Sequence, residues 1–419
     1  MSTDPSYLSN TLMSFLKKAA KFSSGVILAQ LITAASIPLL SRLYSPEDFS
    51  LFGMYFSISA ILVAFVTLRL ETLLPKEEDT QVNHKLNIVF NIVYLTFLPL
   101  LFISGFLLYF FNNEFKSTDL IWVVFIVFAA ITFSLFNTIN ILNVRRNEMT
   151  LVNKARVSRS ALSVIFQLAL FNVKGGLFLG EVIARFLGLV ILCKKEYFKF
   201  NIKLSIKLIG EKFNYIKYVL ISNFFNILGL NIYPIMILKF YDPFLVGKFF
   251  FIQKLLSAPV TIVAQSVSIA LLGDFKKIIK NDKSFLIKKM NKISFIIFCS
   301  GLSVFLIGAF LLKYIEVFVF GKKWEGIYAY VFILIPFLVG QVAFSPFSQM
   351  LLLVGGERKQ FFWDICRLFL VIFSIFIPLS FNVENAFIIS LYIYSIANFI
   401  MYLIHYFLLI DAIRGFNDE

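Results

Sequence analysis

Charge is scarce in this chain: 15% of its 419 residues are Asp, Glu, Lys or Arg, while 59% are hydrophobic. That balance leaves no room for a soluble domain of any size. Histidine occurs twice and cysteine three times. His84 and His405 are isolated in the sequence, and Cys193, Cys299 and Cys366 lack paired spacing, so neither a metal site nor a disulfide framework is expected. The three cysteines read as packing residues. No glycine-rich motif cradles a phosphate, since Gly355-Gly356 falls in a turn, and ATP hydrolysis is not encoded. No catalytic residue, cofactor or metal ligand is assigned. Long loops are missing too, the largest hydrophilic connections being 194–217 and 273–292.

What the chain has instead is a train of apolar segments, each near the roughly 20 residues that a helix needs to cross a hydrocarbon core of about 30 Å. Twelve spans are expected, at 22–41, 51–70, 86–111, 120–143, 157–172, 176–193, 218–238, 244–272, 293–312, 327–354, 361–380 and 386–410. The fifth is the weakest, because Arg156 and Arg159 press on its start. Ahead of the first, Leu8, Leu12 and Phe15 share a helical face and Lys17, Lys18 and Lys21 follow. With no small-residue cleavage site, this reads as an interfacial helix leading into a retained span.

An even number of spans puts both termini on one side and sorts the cations into two sets of loops. Of the 39 Lys and Arg residues, 27 lie on the side of the termini and eight on the other. Short cytoplasmic loops are the ones enriched in Lys and Arg, so both termini are predicted to be cytoplasmic. The net charge of +15 follows from this topology and from attraction to anionic lipid heads, and nucleic acid is not an expected partner. Within the connector 194–217, residues 198–208 alternate apolar and polar, a strand-like period, and are expected to lie extended on the membrane surface.

The chain also repeats itself. Shifting by 197 residues superposes Arg42, Tyr44 and Pro46 on Lys239, Tyr241 and Pro243. These positions end the first span of each six-span half, as a transporter built from two structural repeats requires. The expected organisation is an N-terminal lobe over 1–197, a basic connector over 198–216 and a C-terminal lobe over 217–419. Arg42 and Lys239 have a simple alternative role as helix-ending cations that snorkel to the interface, with Tyr44 and Tyr241 as headgroup anchors.

Four cations fall within or at the edge of spans, where each costs about 2.5–3.5 kcal/mol on insertion scales and calls for a partner or a wet cavity. Glu181 and Arg185 are four apart on one helical face and can neutralise each other. Asp364 and Arg367, three apart, can also meet. Arg69 and Glu71 are two apart and point to different faces of a helix, so they are not expected to pair along it. Lys254 lies ten residues into span eight, about 15 Å along the helix, with no acid closer in sequence than Asp242 and Asp274. It should face a polar interior. Arg69, Arg185, Lys254 and Arg367 against Glu71, Glu181 and Asp364 give a slightly positive interior, suited to anions and best to phosphate.

The stretch Gly25 to Glu47, with Gln30, Pro38, Arg42, Tyr44, Pro46 and Glu47, resembles the opening of Wzx-type polysaccharide repeat-unit (O-antigen) flippases. These belong to the multidrug/oligosaccharidyl-lipid/polysaccharide exporter (MOP) superfamily. Arg69-Leu-Glu71-Thr-Leu-Leu-Pro75-Lys is similar to that family's span-two ending. Gln341, Ser345, Pro346, Gln349, Gly355, Trp363, Asp364 and Arg367 resemble its span ten to eleven region. The chain departs from the pattern at Asp48-Phe49-Ser50, where the family usually has Gly before the aromatic residue. The resemblance implies an all-α polytopic membrane protein of about twelve transmembrane helices, in two six-helix lobes around a central cavity. It further implies translocation of an undecaprenyl-diphosphate-linked oligosaccharide, an O-antigen or related lipopolysaccharide unit, to the periplasmic leaflet by alternating access. Arg69, Arg185, Lys254 and Arg367, and more weakly Arg42, would then contact diphosphate or anionic sugar. Glu71, Glu181 and Asp364 would couple a proton or sodium ion. Implied partners are the lipid-linked substrate, membrane lipids, a polysaccharide polymerase and a chain-length regulator.

Rivals of two classes stand beside this, other exporters of the superfamily and a polymerase or ligase. A lipid II flippase should show fourteen spans and a multidrug antiporter an acidic interior. A membrane-embedded polysaccharide polymerase or ligase should carry a large periplasmic loop.

Overall fold

Apolar helical segments account for nearly all of the computed structural model, which describes residues 5–76, 79–111, 119–193 and 202–416. Fourteen α-helices follow one another: α1 Pro5–Leu43, α2 Pro46–Val66, α3 Asp79–Phe111, α4 Leu120–Arg145, α5 Met149–Ala169, α6 Gly176–Leu192, α7 Ile202–Glu211, α8 Phe213–Phe240, α9 Pro243–Asn281, α10 Lys283–Phe320, α11 Ile327–Phe344, α12 Ser348–Leu353, α13 Glu357–Ser380 and α14 Ala386–Gly415. Each of the twelve expected spans falls mainly on helix, the second and fifth running past the ends of α2 and α5. Among the described residues ten stretches are long and apolar enough to cross a membrane, with α11 and α12 joined as one. Helices α5 and α6 fall short of that standard: α6 has 17 residues, and α5 carries Lys154, Arg156 and Arg159. The protein is an all-α, multi-pass membrane protein. Its many exposed Phe, Leu and Ile side chains, among them Phe102, Phe318 and Phe381, are the surface that lipid covers.

The chain divides into two compact units, one of residues 35–251 and one of residues 1–34 with 252–419. In the first, α2 is the central helix, 72% buried over its apolar window and packed against α3, α4, α6 and α8. It starts cleanly because Pro46 occupies its first turn and Ser45 forms a capping box with Asp48. In the second unit α11 is central, between α10 and α14, and α13 packs on α14. The carboxylate of Glu316, near the end of α10, accepts hydrogen bonds from the N–H groups of Gly326 (2.6 Å) and Tyr328 (3.0 Å). It thereby satisfies the N-terminus of α11.

The 197-residue shift found in the sequence also relates helix boundaries in the first unit. The ends of α1 and α8 (Leu43, Phe240) and the starts of α2 and α9 (Pro46, Pro243) correspond under it. Asp242 caps α9 through Phe244 N–H, as Ser45 caps α2. The shift maps Gly53 onto Phe250, and these two positions touch: a Cβ at Gly53 would fall inside the Phe250 ring. Contact between equivalent positions is what a local two-fold axis passing between them produces. Beside it, a Cβ at Gly247 would fall on the Pro46 carbonyl oxygen, so this crossing is close enough to demand glycine.

Four expectations are corrected. Residues 202–211 are helical, not extended, while 198–201 lie outside the described residues. Leu204, Leu208 and Ile209 reach a cluster with Ile88, Val89 and Ile92 of α3, and the Ser205 hydroxyl donates to the Ile88 carbonyl at 3.0 Å. A short alternating run also contains an i, i+4 pair, and packing chose the helix. The second span ends at Val66, not at residue 70. Tyr44 is no headgroup anchor, being 1% exposed with its hydroxyl donating to the Gln167 carbonyl at 2.7 Å. Cys299 and Cys366 are exposed, not packed inside.

Candidate functional site

Buried polar groups collect in two clusters, one within each unit. The first lies where α5 packs on α6, with Gly180 against Gln167 and Gly188 against Arg159. Small residues at these positions allow the close approach. Glu181 is the hub: it accepts from Arg185 Nε at 2.8 Å and from the Ser163 hydroxyl at 2.6 Å, and Arg159 Nη1 lies 3.5 Å away. The Arg185 guanidinium, 6% exposed, also lies over Phe133 (4.3 Å) and Phe56 (5.1 Å). The expected i, i+4 pairing therefore forms, but inside a network with two arginines on one acid.

In the same unit, Arg69 and Glu71 meet at 3.2 Å, against the expectation that they point apart. The helix ends at Val66, and Leu68 (φ 50°) and Arg69 (φ 61°) adopt left-handed backbone. The chain thus reverses before the short 3-10 segment Leu70–Lys76. Glu71 is 5% exposed and also accepts from the Thr67 hydroxyl at 2.6 Å. Arg42 is exposed in the last turn of α1, where a cation complements the helix dipole.

The second cluster lies between α13 and α14. Asp364 and Arg367 do not form the expected ion pair. Arg367 donates from Nε to Asn398 Oδ1 at 3.1 Å and from Nη2 to the Tyr402 hydroxyl at 3.5 Å. Its guanidinium lies over the rings of Trp363 (5.3 Å) and Tyr402 (5.2 Å). Asp364, 1% exposed, accepts from Gln360 Nε2 at 3.2 Å through Oδ2, while Oδ1 has no hydrogen-bond partner. Gln360 also bonds His405 Nε2 at 2.6 Å, and His405 packs against Trp363. So His405, isolated in sequence, belongs to a buried polar chain. Lys254 is half-buried on α9.

Sequence reasoning missed Arg159, Ser163, Thr67, Gln360, Asn398, Tyr402 and His405. Only Arg159 left a signal, as a cation one helical turn beyond Arg156 at the start of a span. Among the described residues no group of three or more His, Cys, Asp and Glu is placed to hold a metal ion.

The chain's fold of apolar, membrane-length helices is similar to that of several solved membrane transporters. A solved lipid II flippase MurJ in an inward closed conformation superposes with TM-score 0.67 and 15% identity, over 94% of this chain and 88% of that one. An inward-facing multidrug resistance MATE transporter follows, with TM-score 0.62 and 14% identity, over 94% and 96%. The eukaryotic MATE transporter AtDTX14 gives TM-score 0.55 and 11% identity, over 97% and 99%. By sequence, no curated protein matches. The family described as "Polysaccharide biosynthesis protein" matches residues 39–329, and the chain belongs to that family.

Proposed function

We propose that this protein is a flippase for polysaccharide precursors, moving an undecaprenyl-diphosphate-linked oligosaccharide, such as an O-antigen repeat unit, from the cytoplasmic to the periplasmic leaflet. Membership of a polysaccharide biosynthesis family across residues 39–329 is the observation that carries the reading. The exporter fold supports transport over polymerisation, and arginines buried within apolar helices fit an anionic cargo. The substrate crosses by alternating access of two six-helix lobes, 1–197 and 217–419, joined by the connector 198–216. Both termini face the cytoplasm, in the inner membrane.

Arg69, Arg185, Lys254, Arg367 and, at the far edge, Arg42 are the proposed contacts for diphosphate or anionic sugar. Arg185 and Arg367 are engaged with Glu181 and with Asn398 and Tyr402 in this conformation, so substrate must compete with those partners or meet them after rearrangement. Glu71, Glu181 and Asp364 are the proposed coupling carboxylates for a proton or sodium ion. Asp364 is the best placed, because one buried oxygen has no hydrogen-bond partner. Cargo passes onward to a polymerase with its chain-length regulator.

Complementation of a flippase-null strain tests the reading. The wild-type gene should restore surface polysaccharide, and Lys254→Ala and Arg185→Ala should not. Full restoration by either variant removes that residue from the site.

A further inference from the structure

We propose that the second unit holds a dedicated site for one anionic phospholipid, in a cleft between α10 and α14. The cleft has a volume of about 570 Å³, within the range of about 300–1,000 Å³ typical of ligand sites. Helix α10 lines it with Ile287, Asn291, Phe295 and Phe298, and α14 with Leu403, Phe407, Ile410 and Arg414. Both sets recur at three- and four-residue spacing, so each is one helix face. The helices run antiparallel with residues 283 and 416 joined at one end, where the Lys283 amine donates to the Phe416 carbonyl.

Length and charge select the occupant. Eleven helical steps, from Ile287 to Phe298 or from Leu403 to Arg414, cover about 16 Å, half of a hydrocarbon core of about 30 Å, which is the depth of one leaflet. The cleft therefore matches one acyl chain and not a spanning peptide. Its walls are aromatic and aliphatic, and its mouth is cationic. Asp411 and Arg414 both line the mouth; Lys359 neutralises the Asp411 carboxylate at 2.6 Å, which leaves Arg414 to face a phosphate, and Lys283 stands at the same end with one ammonium proton on the Phe416 carbonyl and two more to offer. Partway down, the Tyr406 hydroxyl donates to Asn291 Oδ1 at 2.8 Å, and the Asn291 amide nitrogen is free to donate to a glycerol ester carbonyl. Phe295 and Phe407, 69% and 59% exposed, form the side open to the bilayer, through which a lipid enters laterally. On the proposed topology the mouth opens at the cytoplasmic leaflet, but the site requires only a membrane and not the proposed cargo.

The experiment is lipid titration of the full-length protein in detergent, read by native mass spectrometry, with phosphatidylglycerol, phosphatidylcholine and undecaprenyl phosphate as separate probes. Wild type should retain one phosphatidylglycerol in preference to phosphatidylcholine. Removing each cation should weaken that binding about fivefold, so Arg414→Gln with Lys283→Gln should lose about twenty-fivefold. Ile287→Trp, at the mouth, should block retention with both cations present. Equal retention of phosphatidylglycerol and phosphatidylcholine by wild type overturns the proposal, as does unchanged selectivity in the double variant. Preference for undecaprenyl phosphate over phosphatidylglycerol also overturns it and assigns the cleft to the transported lipid.

Discussion

Glu181→Ala is the sharpest perturbation available in the first unit. It removes the shared acceptor of Arg185, Ser163 and Arg159, and strands the Arg185 guanidinium, which is 6% exposed. Breaking a buried pair from one side costs about 3–5 kcal/mol. For a unit of about two hundred residues, each kcal/mol moves the melting temperature by about 2–4 °C, so a fall of roughly 6–20 °C is expected. Arg185→Met is milder, at about 1–2 kcal/mol: its apolar stem still fills the space between Phe56 and Phe133, and Glu181 keeps Arg159 and Ser163. Glu181→Leu strands the same guanidinium and should cost about as much, and combining Glu181→Leu with Arg185→Met should recover most of that loss, because the double change leaves only Arg159, which is partly exposed, and apolar replacement of a buried pair is often neutral. The assay is thermal melting of the full-length protein in detergent, followed by tryptophan fluorescence as a double-mutant cycle. A Glu181→Ala protein melting within about 1 °C of wild type, or additive single and double changes, would refute the reasoning.

Glu316→Ala strips the two N–H groups at the start of α11 of their acceptor and should cost about 1–3 kcal/mol, seen as a lower melting temperature. Gly247→Val drives a side chain onto the Pro46 carbonyl and should abolish monodisperse expression, since backbone gives way less readily than a side chain. Asp282 caps α10 through Phe285 N–H and the Ser284 hydroxyl, and these bonds hold its carboxyl below the usual aspartate range. The cap's contribution is present above the unfolded value of about 3.9 and is lost as pH falls through the lower folded value. Asp282→Asn should flatten that acid limb in melting curves, and an unchanged limb would rule the cap out as its source.

Legibility tracked sequence distance. The twelve helical segments and the pairing of Glu181 with Arg185 depend on residues within a few positions of one another, and both were readable. Tyr44 was misjudged because its partner, Gln167, lies 123 residues away, and His405 looked isolated because Gln360 is 45 residues off. Thr67-Leu68-Arg69 contains neither Gly nor Pro, so nothing local announced the left-handed turn that brings Arg69 onto Glu71. Arg367 and Asp364 were close enough to pair, yet Asn398 and Tyr402 of α14 compete for the guanidinium. Only packing could decide between them.

The most direct test of the transport reading is the sidedness of lipid-linked repeat units after deletion of the gene. The account predicts that they accumulate on the cytoplasmic face of the inner membrane and that re-expression carries them to the periplasmic face. Normal arrival at the periplasmic leaflet in the deletion strain, with no other flippase supplied, would contradict it.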